Sequence, residues 1–278
     1  MLGAIIGDIV GSVYEYENHK STEFEFFDEE CEFTDDTVLT VAVADWLLSD
    51  KACTEVELQK KLVDYAKSYI ESGYGLHFLM WILHPKKEVG EDGSPIEVRR
   101  PYDSYGNGSA MRCSAVGWMF DTLEETERVA AISASVTHNH PEGVKGAQAT
   151  AAAIFMARTG SSKEEIRSYI ESKYGYGLNC TCDEIRPIYE YDVTCQGTVP
   201  EAIVAFLEST DYESAIRLGV SLGGDTDTLC CITGGIAEAY YKHIPKEMAE
   251  KALSYLPEGF VRVLQKMKEE TVYGKIVG

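Results

Sequence analysis

"GGDTDTLCCITGGIAEAYY" (residues 223–241) places two aspartates, Asp225 and Asp227, two positions apart at the head of a long apolar run. Residues two apart on a helix face different directions, so these carboxylates converge only where the backbone is a turn or an extended segment. The residues from Thr228 onward are small or apolar on most sides, the signature of a helix buried all round, with Gly234 and Gly235 allowing close neighbours. The pair thus sits where a buried helix begins. Two carboxylates converging in a partly desolvated place raise each other's pKa, unless hydrogen bonds or a cation keep them ionised. The plain reading is a helix N-cap, since Asp and Thr before an apolar run are ordinary capping residues.

The same helical reading extends over most of the chain. "DDTVLTVAVADWLLS" (Asp35–Ser49) opens on acids behind a Thr34 cap and is apolar nearly all round, as a central helix is. Residues 54–71 begin with a Thr-x-x-Glu capping box and are amphipathic, and residues 122–138 resemble them. Residues 141–160 have proline at the start, glycine at the end and an alanine-rich middle. Further helices are expected near 163–173, 200–207, 212–222 and 245–267. Few stretches alternate with the period of a strand. The expectation is an all-α fold, a compact orthogonal helix bundle forming one domain over residues 1–278, without internal repeats. Two segments resist the helical reading: 84–108, rich in charge, Gly and Pro, and 174–200, whose "IYEYDV" suits a short strand. Long irregular loops in a compact domain often carry function, so both are candidate walls of a site.

Composition narrows the functional classes. The 46 acidic and 25 basic residues leave a formal charge of −21, which disfavours nonspecific binding to nucleic acid or anionic membranes. An anionic substrate would need local devices: metal ions, helix N-termini or backbone amides. The eight cysteines show no CxxC spacing and read as reduced thiols; Cys180 and Cys182, one residue apart, are poorly spaced zinc ligands. The N-terminal "MLGAIIGDIVGSV" lacks a basic region and carries Asp8, so it reads as mature protein rather than a signal peptide. No stretch reaches the length of a membrane span. These features point to the cytoplasm, with a monomer as the default.

A second acidic pair stands in "FTDDTVLT", where Thr34, Asp35 and Asp36 open the central helix. Adjacent residues there diverge by roughly 100°, so the two carboxylates can serve different ions, or an ion and a water. With Asp225 and Asp227 the inventory is four carboxylates and two hydroxyls, Thr34 and Thr228, at two helix starts. Magnesium and manganese favour such oxygen sets, and two ions about 4 Å apart would neutralise the cluster. Each pair alone suits a cap; together they favour metal. Rival motifs fit poorly. "DDTVL" has Leu39 where a terpene synthase needs an acid, a haloacid-dehalogenase motif would lie early and end in Thr where Leu229 stands, and "DTDTLCCITGGI" lacks the glycine and final acid of an EF-hand. "SYGNGSAMRCSAVGW" (residues 104–118) sets a glycine-rich turn before a small-residue helix, where free amides can cradle phosphate; Met111 replaces the last glycine of a dinucleotide fingerprint. "THNHPEG" puts His138 and His140 at another helix start, each able to cap, pack or contact a substrate.

Taken in order, "GDIVGSVYEYE", "FTDDTVLT", "YGNGSAMR", "VTHNHPEGVKGA" and "GGDTDTLCCITGGIAEAYY" resemble the signature blocks of the ADP-ribosylglycohydrolase family, from residue 3 to about residue 241. The resemblance implies an all-α fold around two divalent cations, Mg2+ or Mn2+, with Thr34, Asp35, Asp36, Asp225, Asp227 and Thr228 as ligands. It implies that Glu15 is the glutamate near the scissile bond, with Glu17 as the alternative, and that Glu15 and Asp225 carry the catalytic roles. It places the turn of Gly106, Asn107, Gly108, Ser109, Ala110 and Met111 along the diphosphate and has His138 contact the substrate. The implied reaction is hydrolysis at C1″ of the distal ribose of an ADP-ribosylated protein or small molecule, releasing ADP-ribose. Two other readings stay open: a catalytically silent ADP-ribose-binding relative, which would be expected to lose part of the acidic set, and a magnesium-dependent phosphohydrolase. Arginine, serine, O-acetyl-ADP-ribose, a nucleic-acid end or a small guanidine would each need a differently shaped mouth.

Overall fold

The helix that begins within the opening stretch is the axis of the molecule. In the computed structural model, which describes residues 1–89 and 94–276, the chain forms, among the described residues, sixteen α-helices and one hairpin, besides a 3-10 turn at Ser12–Tyr14. They are α1 (Leu2–Gly11), α2 (Asp35–Ser49), α3 (Glu55–Ser68), α4 (Leu76–Leu83), β1 (Lys86–Val89), β2 (Pro95–Val98), α5 (Gly108–Met111), α6 (Ser114–Met119), α7 (Leu123–Ser135), α8 (Pro141–Thr159), α9 (Lys163–Tyr174), α10 (Cys182–Ile185), α11 (Cys195–Glu208), α12 (Tyr212–Leu222), α13 (Thr226–Tyr241), α14 (Lys246–Tyr255), α15 (Glu258–Glu270) and α16 (Tyr273–Ile276). The fold is all-α, and one apolar core runs from Met1 to Tyr273.

α13 is buried without interruption from Thr226 to Ala239, and α1, α8, α11 and α12 pack around it. Its closest neighbour is α1. Gly3, Gly7 and Gly11 of α1, four residues apart and so on one face, stand against Gly234, the Cys230 carbonyl and Thr226 of α13, where a Cβ would overlap the facing backbone. α2 is the second inner helix, buried over most of its length. α1 is buried from Gly3 to Gly11, and its lack of a polar face hides its helical periodicity in the sequence.

Several expectations change in detail. "IYEYDV" forms no strand; beyond α10 the chain runs without regular structure to an isolated bridge between Gly106 and Thr194. The segment 84–108, expected to be irregular, contains the antiparallel pair β1–β2, with Lys86 opposite Val98; residues 90–93 of that segment lie outside the described residues, as do 277 and 278 of the expected domain. The helix expected from Pro200 starts five residues earlier, capped by Thr194, whose side chain accepts from the Gly197 N–H. Pro200 lies inside it, where its ring removes one donor early in the helix rather than marking the start. The helix expected over 245–267 is broken at Leu256–Pro257 into α14 and α15, because the residue before a proline is driven out of the helical region. Thr54 caps α3 by accepting from the Glu57 N–H, but the reciprocal half of the box is taken by Asp50, which accepts from the Thr54 N–H at 2.7 Å. Among the described residues no helix is long and apolar enough to cross a membrane.

Candidate metal centre and substrate cavity

The end of α1 and the starts of α2 and α13 meet at one side of the core, and the site is built where they meet. Gly223 and Gly224 both have φ +74, the left-handed region open to glycine, and this turn ends α12 and aims the next residues inward. Asp225 occupies the N-cap position of α13 yet makes no capping bond. Its Oδ2 instead accepts from Asn107 Nδ2 at 2.6 Å, while Asp227 Oδ1 accepts from the Thr228 N–H at 2.9 Å. The capping interpretation therefore fails for Asp225: its carboxylate is turned away from the helix amides and into the cavity.

The start of α2 is set by a residue that is not among the candidate ligands. Asp8 of α1 is wholly buried; its Oδ2 accepts from the N–H groups of Thr34 and Thr37, both at 3.0 Å, and its Oδ1 from the Thr34 hydroxyl at 2.6 Å. Burial, then the charge of Asp227, pushes the Asp8 carboxyl up to about 7. Thr34 Oγ1 also accepts from the Asp36 N–H at 3.3 Å, which leaves one lone pair. Asp36 is 1% exposed; its Oδ2 accepts from Thr228 Oγ1 at 3.2 Å and its Oδ1 has no partner among the described residues.

One cavity of about 530 Å³ is lined by Thr34, Asp35, Asp36, Asp225, Asp227, Thr228 and Glu15 together with the Gly106 turn and His138. One carboxylate oxygen each from Glu15, Asp225 and Asp227 lie within 4.8 Å of one another. Asp35, Asp36 and Asp225 are all driven well above the ordinary carboxylate range, first by burial and next by the charge of Asp227; Glu15 is raised by the same two causes. Crowded buried carboxylates with an orphaned oxygen at Asp36 and, among the described residues, no cationic hydrogen-bond partner form a donor set of hard oxygens, and it fits magnesium or manganese.

Of the residues expected along the substrate, Gly106, Asn107, Gly108, Met111 and His138 line the cavity, whereas Ser109 and Ala110 do not. α5 is a single helical turn, and two of its adjacent residues face the core: the Ser109 hydroxyl donates to the Gly143 carbonyl at 2.7 Å, and Ala110 is wholly buried. His140 caps α8, its Nδ1 accepting from the Glu142 N–H. Glu15 borders the cavity and Glu17 does not; Glu17 lies with Glu25, Asp28, Glu29 and Glu30 around a separate depression. Both irregular segments contribute walls, Tyr102 and Ser104 from one, Tyr191 and Val193 from the other. Tyr191 donates its hydroxyl to Glu15 Oε1 at 2.9 Å, a contact across 176 residues of sequence that no local pattern announces. The strap carrying it is tied down on both sides: Val193 accepts from the Asn107 N–H at 2.8 Å, and Lys20 donates to the Tyr189 carbonyl at 2.7 Å. The loop before α4, with Gly73 and Gly75, and the first turn of α4, with Leu76, His77 and Phe78, line the remaining side.

The chain is similar to known proteins. ADP-ribosylhydrolase ARH3 of Homo sapiens is 26% identical over 96% of this chain and 93% of its own. The Mus musculus protein of the same name is 27% identical over 87% and 82%, and ADP-ribosylarginine hydrolase Tri1 of Pseudomonas putida is 26% identical over 90% and 72%. A solved structure described as an ADP-ribosylglycohydrolase-related protein complex superposes with a TM-score of 0.67 at 23% identity, covering 96% of each chain, and so shares the fold. Residues 1–272 match the ADP-ribosylglycohydrolase family as a whole. With that match spanning nearly the full chain, the protein belongs to the ADP-ribosylglycohydrolase family of hydrolases.

Proposed function

We propose that this hydrolase cleaves the bond between C1″ of the distal ribose of ADP-ribose and an acceptor, releasing ADP-ribose, in a reaction that depends on two divalent cations. The observation that carries the reading is the convergence of Glu15, Asp225 and Asp227 within 4.8 Å in a cavity that is also lined by a glycine turn and a histidine. Thr34, Asp35, Asp36, Asp225, Asp227 and Thr228 would hold the ions. Magnesium or manganese bound there supplies positive charge to orient ribose hydroxyls and water and to offset charge developing on the leaving group.

The chain's own residues do the rest. Asn107, anchored on Thr198 at 3.0 Å, fixes the Asp225 carboxylate from one side. Tyr191 donates to one oxygen of Glu15 and so orients the carboxyl that would exchange a proton with the bond being cut. Burial raises the Glu15 carboxyl, which suits a group that must hold a proton for part of the cycle, as carboxylates do in glycoside cleavage. Cytoplasmic location and a monomeric state remain part of this reading, and no membrane partner is implied.

The test is product analysis. Arginine-linked and serine-linked ADP-ribosyl peptides are incubated with the purified chain, with magnesium or with chelator. Free ADP-ribose should appear, only with metal, and Glu15→Gln should lower kcat by about 10²–10⁴-fold. Release of inorganic phosphate instead of ADP-ribose, or turnover that survives chelation, would overturn the assignment.

A further inference from the structure

Arg112, at the end of α5, is wholly buried and borders the cavity. Its Nη2 donates to the Ser133 carbonyl and, at 2.9 Å, to Thr137 Oγ1. The groups whose charge favours its protonated form are Cys113, Tyr102 and Cys195, not a carboxylate, so its positive charge acts on its surroundings largely uncompensated. A guanidinium has donors only, so the Thr137 oxygen accepts at this contact. The same oxygen lies 2.7 Å from His138 Nδ1.

The direction of that second bond follows from proton counting. Thr137 has one hydroxyl proton, and a buried donor left without an acceptor is unfavourable. Nδ1 is the acceptor within reach. The proton goes to Nδ1, which is then a bare acceptor, and a neutral imidazole with a bare Nδ1 carries its own proton on Nε2. Nε2 faces the glycine turn: it lies 3.5 Å and 3.3 Å from where a Cβ would stand on Gly106 and Gly108. Burial, then the nearby Arg112 charge, holds the His138 ring well below its ordinary pKa. Tyr102, with its ring centroid 5.8 Å from that of His138, is kept protonated by its own burial and brings no negative charge.

We propose that Arg112 and Thr137 are positioning residues that lock His138 as a neutral imidazole presenting its Nε2–H to the cavity, where it donates to a phosphate oxygen of the substrate's diphosphate. The tautomer stands on the hydrogen bonds alone; the identity of the acceptor rests on the hydrolase reading above. In this state His138 can donate but cannot take up a proton from the reacting atoms, which leaves that task to the carboxylates.

The experiment uses the full chain labelled with ¹⁵N-histidine. In the wild type the His138 nitrogens should show the Nε2–H form and keep it down to about pH 6, where exposed histidines titrate. Thr137→Val removes the hydroxyl at nearly constant volume; it should mix the two tautomers and weaken ADP-ribose binding about tenfold, with adenosine, which has no diphosphate, unaffected. Thr137→Ser should restore both readouts. An Nδ1–H or doubly protonated ring in the wild type, or a Thr137→Val protein with unchanged spectrum and affinity, would overturn the proposal. If the valine variant does not fold, the wild-type spectrum decides alone. A wild type with the expected spectrum that fails to bind ADP-ribose would count against the hydrolase reading and leave the lock standing.

Discussion

Asp227→Asn is expected to abolish turnover, a fall in kcat/KM of about 10³-fold or more, while raising the melting temperature of the metal-free protein. The opposite signs come from one cause. After burial, the charge of Asp227 is the largest influence raising Asp8, Asp35, Asp36, Asp225 and Glu15 above the ordinary carboxylate range. Without a cation this side chain is the hub of a repulsive cluster. Asparagine keeps an oxygen for the Thr228 N–H but removes the charge, so the metal-free fold should gain on the order of 1–2 kcal/mol, or several degrees in Tm for a chain of this size. With saturating magnesium the order reverses. The wild type gains by mass action, since the ion binds the folded state, and the variant has lost a ligand at the centre of the set. Thermal melts of both proteins, with chelator and with magnesium, read the two signs together. If the variant melts lower than the wild type in chelator, or gains as much as the wild type from magnesium, the cluster is not organised around a cation.

How much of this was legible beforehand depends on whether a feature is local. α2 and α13 were readable because each is apolar on every side, and a helix without a polar face must be interior. The acids at their starts were readable for the same reason: charge at the mouth of a buried helix demands a compensator. Asp8 was not, although it stands alone in an apolar stretch, since its task is to accept from Thr34 and Thr37 of a different helix. Tyr191 was hidden likewise, because only the tertiary course of the strap brings it to Glu15. Ser109 and Ala110 were assigned to the cavity along with their neighbours because a motif is read as a string; as a single helical turn, it sends those two side chains into the core. Pro200 misled through its usual place at the first turn of a helix, while the operative cap was Thr194.

Gly7→Ala should destabilise the protein by about 3 kcal/mol or more, although it adds only one methyl group and improves helix propensity. A Cβ there would overlap the Cys230 carbonyl and lie 2.9 Å from the Cys231 nitrogen. Both are backbone atoms of α13 and cannot rotate aside as a side chain would, so the helices must separate and lose the apolar contacts around the crossing. Gly259, the second residue of α15, is the control: a Cβ there would meet nothing closer than Arg262 at 4.0 Å, so alanine should be neutral or stabilise by up to about 1 kcal/mol. Urea midpoints of the two variants should therefore move in opposite directions or at least differ by the full cost of the clash. The site should suffer with the fold, because α1 leads directly into the turn that carries Glu15 while α13 carries Asp227 and Thr228 in its first turn. Any Gly7→Ala protein that does fold is expected to bind magnesium more weakly than the wild type, whereas Gly259→Ala should bind it equally well. A Gly7→Ala protein with the wild-type urea midpoint would show that α1 and α13 do not meet backbone to backbone, and the alignment of Glu15 with the two aspartates would lose its structural cause.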